Sequence, residues 1–322
     1  MIFYLLGDYA AESWGNGMIY AHVGILREAG FDACALHQHA PFRPDWLDVD
    51  VPIHYLDEPG FTATADDTVV VPDVLAASDV VQRFPWRRVV FVQGSFSIVY
   101  GLQEHSDYAE LGYETAITIL PHIVRTVERH FGVSANLVPP FIAPYFFEAD
   151  SAARVRRVLF PFKEGYRAFG IPDQEIARRL LEKAIKRRAQ WSFVLLEGYT
   201  HQEVSALMKS SMFLVNVYSH EGFNTTVPEA MAAGCVAVCY EAGGGVDFLR
   251  PDENAIVFSN QHVYELVERV CQLMDDFDRS DVRSLIDRIR VGGRQTAESF
   301  NRKRTAEALV GFFSRRLQAR HA

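Results

Sequence analysis

The chain has 322 residues, of which 49% are hydrophobic and 23% charged, the balance typical of a folded protein with an apolar core. This length predicts two domains. The formal net charge of −9 argues against a nucleic-acid-binding protein, which would carry a basic surface. The charge is also uneven, because residues 1–150 carry a net charge of −13 and residues 151–322 a net charge of +4. We therefore expect the second half to bind an anionic ligand.

The cysteines and the apolar segments indicate the cellular compartment of the protein. The four cysteines form neither a CxxC pair nor a disulfide framework, so buried thiols are expected. The apolar stretch at residues 1–6 is too short for a signal peptide and lacks a basic segment before it. No window approaches the roughly 18 continuous apolar residues of a membrane span. These features predict a cytoplasmic protein whose membrane association is at most peripheral.

In the first half, short apolar runs alternate with helical patterns. Buried strands are predicted at residues 2–6, 33–36, 69–71, 89–92 and 117–120. The helices between them are predicted at residues 18–29, 74–82 and 122–131.

The second half repeats this alternation. Strands are predicted at residues 158–160, 193–196, 212–217, 236–240 and 256–258. Helices are predicted at residues 176–186, 202–209, 227–233 and 263–274, and the last 40 residues are also helical and rich in arginine. Continuous apolar strands alternating with helices predict parallel sheets covered on both faces. The fold class is therefore α/β, with two doubly wound, Rossmann-like domains.

The boundary between the two domains is predicted at a proline-rich segment. Pro139, Pro140 and Pro144 interrupt the pattern where the charge balance changes sign, which places a linker at about residues 139–154. The predicted domains are residues 1–150 and 151–322. Two such domains would leave a cleft between the carboxyl ends of their strands, where ligands bind in sheets of this kind.

The most informative segment is residues 217–238, VYSHEGFNTTVPEAMAAGCVAV. It predicts the end of a strand, a glycine-containing loop, and a helix that begins near Thr225 or Thr226 and ends at Gly234. Free N–H groups at the start of this helix would bind a phosphate. Glu221 and Glu229 flank that phosphate site. Because carboxylates repel phosphate, we expect both to bind hydroxyl groups attached to it.

A second glycine cluster follows the next strand. Gly243, Gly244 and Gly245 allow the backbone to approach a ligand closely, and Asp247 comes shortly after them. Their N–H groups are expected to bind the diphosphate or the sugar it carries.

This order of motifs resembles the large family of retaining GT-B glycosyltransferases, which includes bacterial mannosyl-, glucosyl- and rhamnosyltransferases. The resemblance covers Glu221 and Glu229 with seven residues between them, the following AMAAG, a strand and the glycine cluster, within residues 193–260. It implies a nucleotide-sugar donor bound by the second domain, with Glu229 holding the ribose hydroxyls. Glu221 would hold the sugar together with the backbone of Gly222 and Phe223. The amides expected at the distal phosphate are those of Asn224, Thr225 and Thr226.

The family usually carries an arginine and a lysine after the first strand of this domain, which neutralise the diphosphate. Here Lys163 is expected to take the lysine role. The arginine spacing departs from the pattern, and Arg167 is the candidate for that role or an ordinary residue on a helix surface. Both residues are predicted to stabilise the leaving group.

The first domain resembles the family less closely. The family's glycine-rich loop corresponds to Gly15 and Gly17, which are expected before the first helix and near the distal phosphate or the transferred sugar. Trp14 and Tyr9 are candidates for stacking on an acceptor sugar. Gln93 stands where many relatives carry a histidine and is expected to bind a hydroxyl of the acceptor.

Other chemical signals predict no bound metal. Asp48-Val-Asp50 lies in a proline-flanked loop without a second acidic cluster, and we interpret it as a solvated turn. His37 and His39 lie in a loop without a third ligand. No GxGxxG follows a strand, so a nicotinamide or flavin enzyme is not indicated.

The resemblance therefore implies a metal-independent GT-B glycosyltransferase. It would transfer a hexose or deoxyhexose, with retention, from a nucleoside diphosphate to a hydroxyl of a glycan or small molecule, in bacterial polysaccharide or glycoconjugate synthesis. The sugar nucleotide is the donor substrate, and no further cofactor is expected. Two alternatives remain: a nucleotide-sugar epimerase or hydrolase on the same scaffold, and a non-catalytic partner that binds a sugar nucleotide.

Overall fold

The computed structural model describes residues 1–46, 50–148, 153–162 and 172–318. The chain divides into two compact units. Unit 1 contains Met1–Pro140 and the segment that starts at Arg302, and unit 2 is Phe141–Asn301.

Unit 1 is built on a parallel sheet of seven strands, in the order β3-β2-β1-β4-β5-β6-β7. The strands are β1 (Ile2–Leu5), β2 (Ala33–His37), β3 (Ile53–Tyr55), β4 (Thr68–Pro72), β5 (Arg87–Val92), β6 (Tyr113–Thr118) and β7 (Ser134–Leu137). The helices among them are α1 (Trp14–Glu28), α2 (Asp79–Gln82), α3 (Ile98–Leu102) and α4 (Pro121–His130). The central strands are apolar and fully buried, because helices cover both faces of such a sheet.

Unit 2 contains a parallel sheet of five strands, in the order β12-β11-β10-β8-β9. The strands are β8 (Val155–Pro161), β9 (Ser192–Leu196), β10 (Ser211–Asn216), β11 (Val236–Tyr240) and β12 (Ile256–Phe258). The helices are α5 (Asp173–Ile185), α6 (His201–Ser210), α7 (Thr226–Ala232), α8 (Val263–Asp275) and α9 (Ser280–Glu298). These elements confirm the predicted class of two α/β, Rossmann-like domains.

The strand order fixes where each unit can hold a ligand. In unit 1 the chain changes direction between β1 and β4, and in unit 2 between β8 and β10. Ligands of doubly wound sheets bind outside the carboxyl ends of the strands at such switch points. The loop after β10 therefore occupies the ligand-binding edge of unit 2, and the loops after β1 and β4 occupy that of unit 1.

Several predicted elements are corrected. The strands β3 and β7 were not predicted, because they are short, partly exposed strands at the two edges of the sheet. The helix predicted at residues 74–82 is instead a 3₁₀ turn at Asp73–Leu75 followed by the single turn of α2. Helix α1 begins at Trp14, four residues before the predicted start, because the Ser13 side chain accepts a hydrogen bond from the backbone of Asn16 and caps the helix there.

The last helix, α10 (Arg302–Gln318), belongs to unit 1, although the predicted second domain extended to residue 322. The hydroxyl of Thr305 donates a hydrogen bond to the carbonyl of Pro139 at 2.7 Å. The ring of Phe313 packs edge-on against Phe31, with 6.3 Å between ring centroids. The boundary at Pro140 also lies ten residues before the predicted one, inside the predicted linker.

Three arginines cap the carboxyl end of α7. The carbonyl groups of Ala233, Gly234 and Ala232 accept hydrogen bonds from Arg154, Arg290 and Arg294, respectively. Arg154 also donates to the carbonyl groups of Met208 and Ser211, where α6 ends. These guanidinium groups satisfy carbonyls that a helix end leaves unpaired, and their charge complements the helix dipole.

No helix among the described residues is long and apolar enough to cross a membrane.

We expect Gly292→Ala to destabilise unit 2. A β-carbon at Gly292, on α9, would lie 2.2 Å from the carbonyl oxygen of Glu253, so the backbone would have to shift. Overpacking of this kind costs about 1–3 kcal/mol of the free energy of unfolding. Urea denaturation followed by circular dichroism measures the change. The control is Gly311→Ala on α10, where the nearest atom is 3.4 Å away at the end of the Arg315 side chain. Equal stabilities of the two variants would contradict the expected clash.

Candidate functional site

The loop after β10 is closed by a buried pair of amide side chains. Nδ2 of Asn216 donates to Oδ1 of Asn224 at 3.0 Å, and Nδ2 of Asn224 donates back to Oδ1 of Asn216 at 3.3 Å. The N–H of Tyr218 donates to the same Asn216 oxygen at 3.0 Å. Asn224 has a φ of +52°, a left-handed conformation that asparagine tolerates better than most residues. The pair therefore holds the loop in the shape from which α7 starts.

Helix α7 begins at Thr226, as predicted. The carbonyl of Asn224 accepts a hydrogen bond from the N–H of Val227, and that of Thr225 accepts one from the N–H of Glu229. The Thr225 side chain makes no capping hydrogen bond. The role predicted for the amides of Asn224, Thr225 and Thr226 stays a prediction.

The carboxylate of Glu229 lies on the first turn of α7, in a residue that is only 5% exposed. Nε2 of His201 lies 2.7 Å from its Oε1, and the hydroxyl of Tyr145 lies 2.6 Å from Nδ1 of the same imidazole. With Glu229 ionised, Nε2 donates to the carboxylate, so Nδ1 of a neutral ring accepts from Tyr145. The two residues fix the direction in which the buried carboxylate points.

His201 was not predicted as a site residue, although a local signal accompanies it. It is the first residue of α6, where Thr200 and Glu203 form a reciprocal capping box. That box fixes the start of the helix and hence the position of the imidazole. Only the contact with Glu229, 28 residues along the chain, gives His201 its role at the site.

The structure brings together the two predicted loops of unit 2. Glu221 and Gly243 form a parallel bridge, and the N–H of Gly244 donates to the carbonyl of Glu221 at 3.4 Å. Asn260 joins the same loops, because its side chain donates to the carbonyl of Ser219 at 3.3 Å and accepts from the N–H of Ala242 at 3.2 Å. No sequence motif marks Asn260 as a site residue.

The glycine loop itself needs unusual backbone conformations. Gly243 has a φ of +72°, which glycine adopts at little cost. A 3₁₀ turn follows at Gly244–Asp247. A β-carbon at Gly245 would lie 2.5 Å from the Leu249 side chain, so that glycine serves packing within the unit.

The Phe223 side chain belongs to the core of unit 2. Its ring packs against Phe300 and Phe248, with centroid distances of 4.8 and 5.8 Å. This burial anchors the segment that also contains Gly222, and the predicted contact of both backbones with a sugar stays a prediction. The predicted Lys163 and Arg167 lie outside the described residues.

In unit 1 the glycines predicted before the first helix lie within it. Gly15 and Gly17 belong to the first turn of α1, and Trp14 is its first residue. The carbonyl of Gly15 accepts a hydrogen bond from Nε2 of Gln93 at 3.0 Å, and a β-carbon there would lie 2.9 Å from Oε1 of Gln93. The close approach of Gln93 to α1 therefore explains why residue 15 is a glycine, without a contact between Gly15 and a ligand. Tyr9 is 57% exposed in the loop after β1.

Asp73, directly after β4, is a buried carboxyl that no sequence motif marks. It accepts hydrogen bonds from the hydroxyl of Ser97 and from the backbone N–H of Gln93. Burial raises the pKa of Asp73 to about 6, although these hydrogen bonds oppose the shift. Asp73 therefore helps to position Gln93, the residue predicted to bind the acceptor.

The chain is similar to known proteins in part of its sequence and in its fold. Residues 170–276 match the family model of the group 1 glycosyl transferases. A search of curated proteins found no match.

Among solved structures, a glycosyltransferase from Rickettsia africae is similar, with 9% identity, 98% coverage of each chain and a TM-score of 0.70. A sucrose-phosphate synthase from Thermosynechococcus elongatus has 13% identity, 99% coverage of each chain and a TM-score of 0.71. HepE from Anabaena, solved in complex with UDP-glucose, has 11% identity and a TM-score of 0.68, and the match covers 97% of this chain and 99% of HepE. The fold is therefore that of the GT-B glycosyltransferases.

The pKa of Asp73 predicts a pH dependence of stability. Because this pKa is raised to about 6 in the folded protein, from about 4 when unfolded, the folded state binds the additional proton between these values. The contribution of Asp73 to the free energy of unfolding is complete below pH 4. It is lost as the pH rises through 6, which lowers that free energy by about 3 kcal/mol. Asp73→Asn, which keeps an acceptor for Ser97, should become more stable relative to the wild type over that range. Parallel profiles from urea denaturation at pH 4–7 would contradict this assignment.

Proposed function

We propose that the protein is a retaining glycosyltransferase, which transfers a hexose or deoxyhexose from a nucleoside diphosphate to an acceptor hydroxyl. The observation that carries the proposal is the buried carboxylate of Glu229, held by His201 on the first turn of α7. It lies beside the switch point of unit 2, within the segment that matches the family model. The complex of HepE with UDP-glucose supports a nucleotide sugar as the donor.

In this proposal Glu229 binds the ribose. An ionised carboxylate accepts about four hydrogen bonds, so the contact of Oε1 with His201 orients the group without exhausting its capacity. Burial strengthens a hydrogen bond to a charged acceptor, and such bonds contribute about 1.5–3 kcal/mol. A pair of vicinal hydroxyls matches this acceptor.

The joined loops of Glu221 and Gly243 would bind the sugar and the diphosphate. Their backbone bridge joins Glu221 to Gly243 at this edge of the sheet. The N–H of Gly243 is the amide proposed for the phosphate, because that of Gly244 donates to the carbonyl groups of Glu221 and Ala242. A carboxylate accepts from sugar hydroxyls, whereas amides donate to phosphate oxygens. Lys163 and Arg167 are proposed to neutralise the leaving diphosphate.

The transfer needs positioning and charge stabilisation. The acceptor oxygen bonds to the anomeric carbon as the bond to the diphosphate breaks on the same face of the sugar, and the departing diphosphate oxygen takes the proton of the acceptor hydroxyl. The anomeric configuration is therefore retained. Neither a metal nor a further cofactor is proposed. The acceptor would bind to unit 1, where Trp14, Tyr9 and Gln93 are its proposed contacts.

Nucleotide binding tests the proposal first. We expect one of UDP, GDP, ADP, dTDP and CDP to raise the melting temperature, with NAD as the control. A ligand present at 100 times its Kd stabilises by about 2.7 kcal/mol. Glu229→Gln should weaken binding about tenfold or more, because the charged acceptor is lost. Glu265→Gln is the matched control, since that exposed glutamate also lies near a histidine, with 3.7 Å between its carboxylate and His262.

Turnover then separates the candidate activities. The substrate is the sugar nucleotide that contains the stabilising base. Transfer of its sugar to a hydroxyl, with the anomeric configuration retained by proton NMR and a rate that EDTA does not change, would support the proposal. A product formed without an acceptor would indicate an epimerase or hydrolase instead. Binding without turnover would indicate a non-catalytic partner, and no shift with any nucleotide would contradict the donor site itself.

A further inference from the structure

A single carboxylate in unit 1 holds two histidines. Oδ1 of Asp8, after β1, lies 2.9 Å from Nδ1 of His37, the last residue of β2. Oδ2 lies 2.8 Å from Nδ1 of His39 and accepts the backbone N–H of His39 at 3.0 Å. The N–H of Gln38 donates to Oδ1 at 3.1 Å. Asp8 thus receives four hydrogen bonds from three consecutive residues.

These contacts determine the protonation of the group. Burial alone would raise the pKa of Asp8, but hydrogen bonds from His39, the Gln38 amide and His37 outweigh it and lower the pKa. The carboxylate is therefore ionised at neutral pH and can only accept hydrogen bonds. Each histidine must then carry its hydrogen on Nδ1, and a neutral His39 presents Nε2 as a bare lone pair.

The two histidines have different surroundings. The ring of His37 is buried, and its Nε2 accepts a hydrogen bond from the hydroxyl of Tyr20 at 2.6 Å. Burial lowers the pKa of His37 although Asp8 opposes the shift, so this ring is neutral. The side chain of His39 is 71% exposed. His37 thus anchors Asp8 in the interior, and His39 faces solvent.

The position and the chemistry of Asp8 and His39 indicate the kind of ligand that they would bind. Asp8 and His39 follow β1 and β2 at the carboxyl ends of adjacent strands, and β1 borders the switch point of unit 1. A bare imidazole nitrogen accepts a hydrogen bond from a hydroxyl. The Asp8 charge and the net charge of −6 on unit 1, α10 included, disfavour an anion. Among the described residues, no group of three acidic, histidine or cysteine side chains is arranged to hold a metal ion.

We propose that His39, held by Asp8, is an acceptor-binding residue whose Nε2 receives a hydrogen bond from a hydroxyl of an uncharged sugar or polyol. This inference rests on the proposed function, because it assigns a contact to the acceptor. Asp8 is the positioning residue, since it acts through the tautomer of His39.

Acceptor kinetics test the assignment. The probes are the methyl glycosides of glucose, mannose, galactose and rhamnose. The donor is chosen by the nucleotide that stabilises the protein: UDP-glucose, ADP-glucose, CDP-glucose, GDP-mannose or dTDP-rhamnose. We expect His39→Ala to raise the KM for the acceptor about tenfold, the effect of one lost hydrogen bond. The shift in melting temperature caused by the nucleotide should stay unchanged. His105→Ala is the matched control, because His105 is also an exposed histidine of unit 1 near a carboxylate, 3.9 Å from Glu110.

Asp8→Asn tests the positioning role separately. An asparagine amide can donate to Nδ1, which would move the hydrogen of His39 to Nε2 and turn the acceptor into a donor. We expect this variant to raise the same KM, with little further effect when combined with His39→Ala. Nitrogen-15 NMR of the His39 ring should show the Nδ1–H form in the wild type, without any ligand.

The outcomes distinguish a failure of the His39 assignment from a failure of the proposed function. Transfer by His39→Ala with an unchanged acceptor KM, or an Nε2–H ring in the wild type, would overturn this inference and leave the proposed function intact. Additive losses in the double variant would overturn the role of Asp8. If the wild type transfers sugar to none of the probes, the proposed function fails and the acceptor role of His39 fails with it.

Discussion

The stabilisation of α7 at both ends is the constraint on which the candidate site depends. This helix has only seven residues, too few to be stable alone, yet it carries Glu229. Guanidinium groups bind its last carbonyls, and the buried pair of Asn216 and Asn224 shapes the loop before it. His201 then fixes the carboxylate itself. Hydrogen bonds from neighbouring segments therefore fix the position of α7 and the direction of the Glu229 carboxylate.

Sequence patterns predicted the strands and helices that depend on residues close in the chain. They missed the side-chain contacts between residues that are far apart in the chain. Ten strands were predicted near their observed positions, because buried parallel strands are continuous apolar runs. The start of α7 also follows from local signals. His201 and Asn260 could not be found in this way, since a lone histidine or asparagine has no periodic pattern and gains its role only through contacts across the fold. The same reason explains why Asp8 was missed as the partner of His37.

The charge asymmetry of the chain has a structural cause besides ligand binding. The excess of positive charge in the second half was expected to reflect an anionic ligand. Part of it has another role, because Arg290 and Arg294 on α9 hydrogen-bond the end of α7. Arg178 pairs with Glu175 and Glu182 along α5. Net charge therefore overstates the positive potential available to a ligand, because part of it serves helix ends and ion pairs.

The return of α10 to unit 1 has a consequence for the order of assembly during synthesis. Unit 2, Phe141–Asn301, is continuous in the chain, whereas unit 1 needs a helix that follows it. The ribosome therefore synthesises all of unit 2 before the nascent chain contains Phe313, the residue that packs on Phe31. Domains fold as units during translation, usually in order from the amino terminus. Here unit 1 begins first but is completed only after unit 2 has been synthesised, and its surface beneath α10 stays uncovered until that helix has been made.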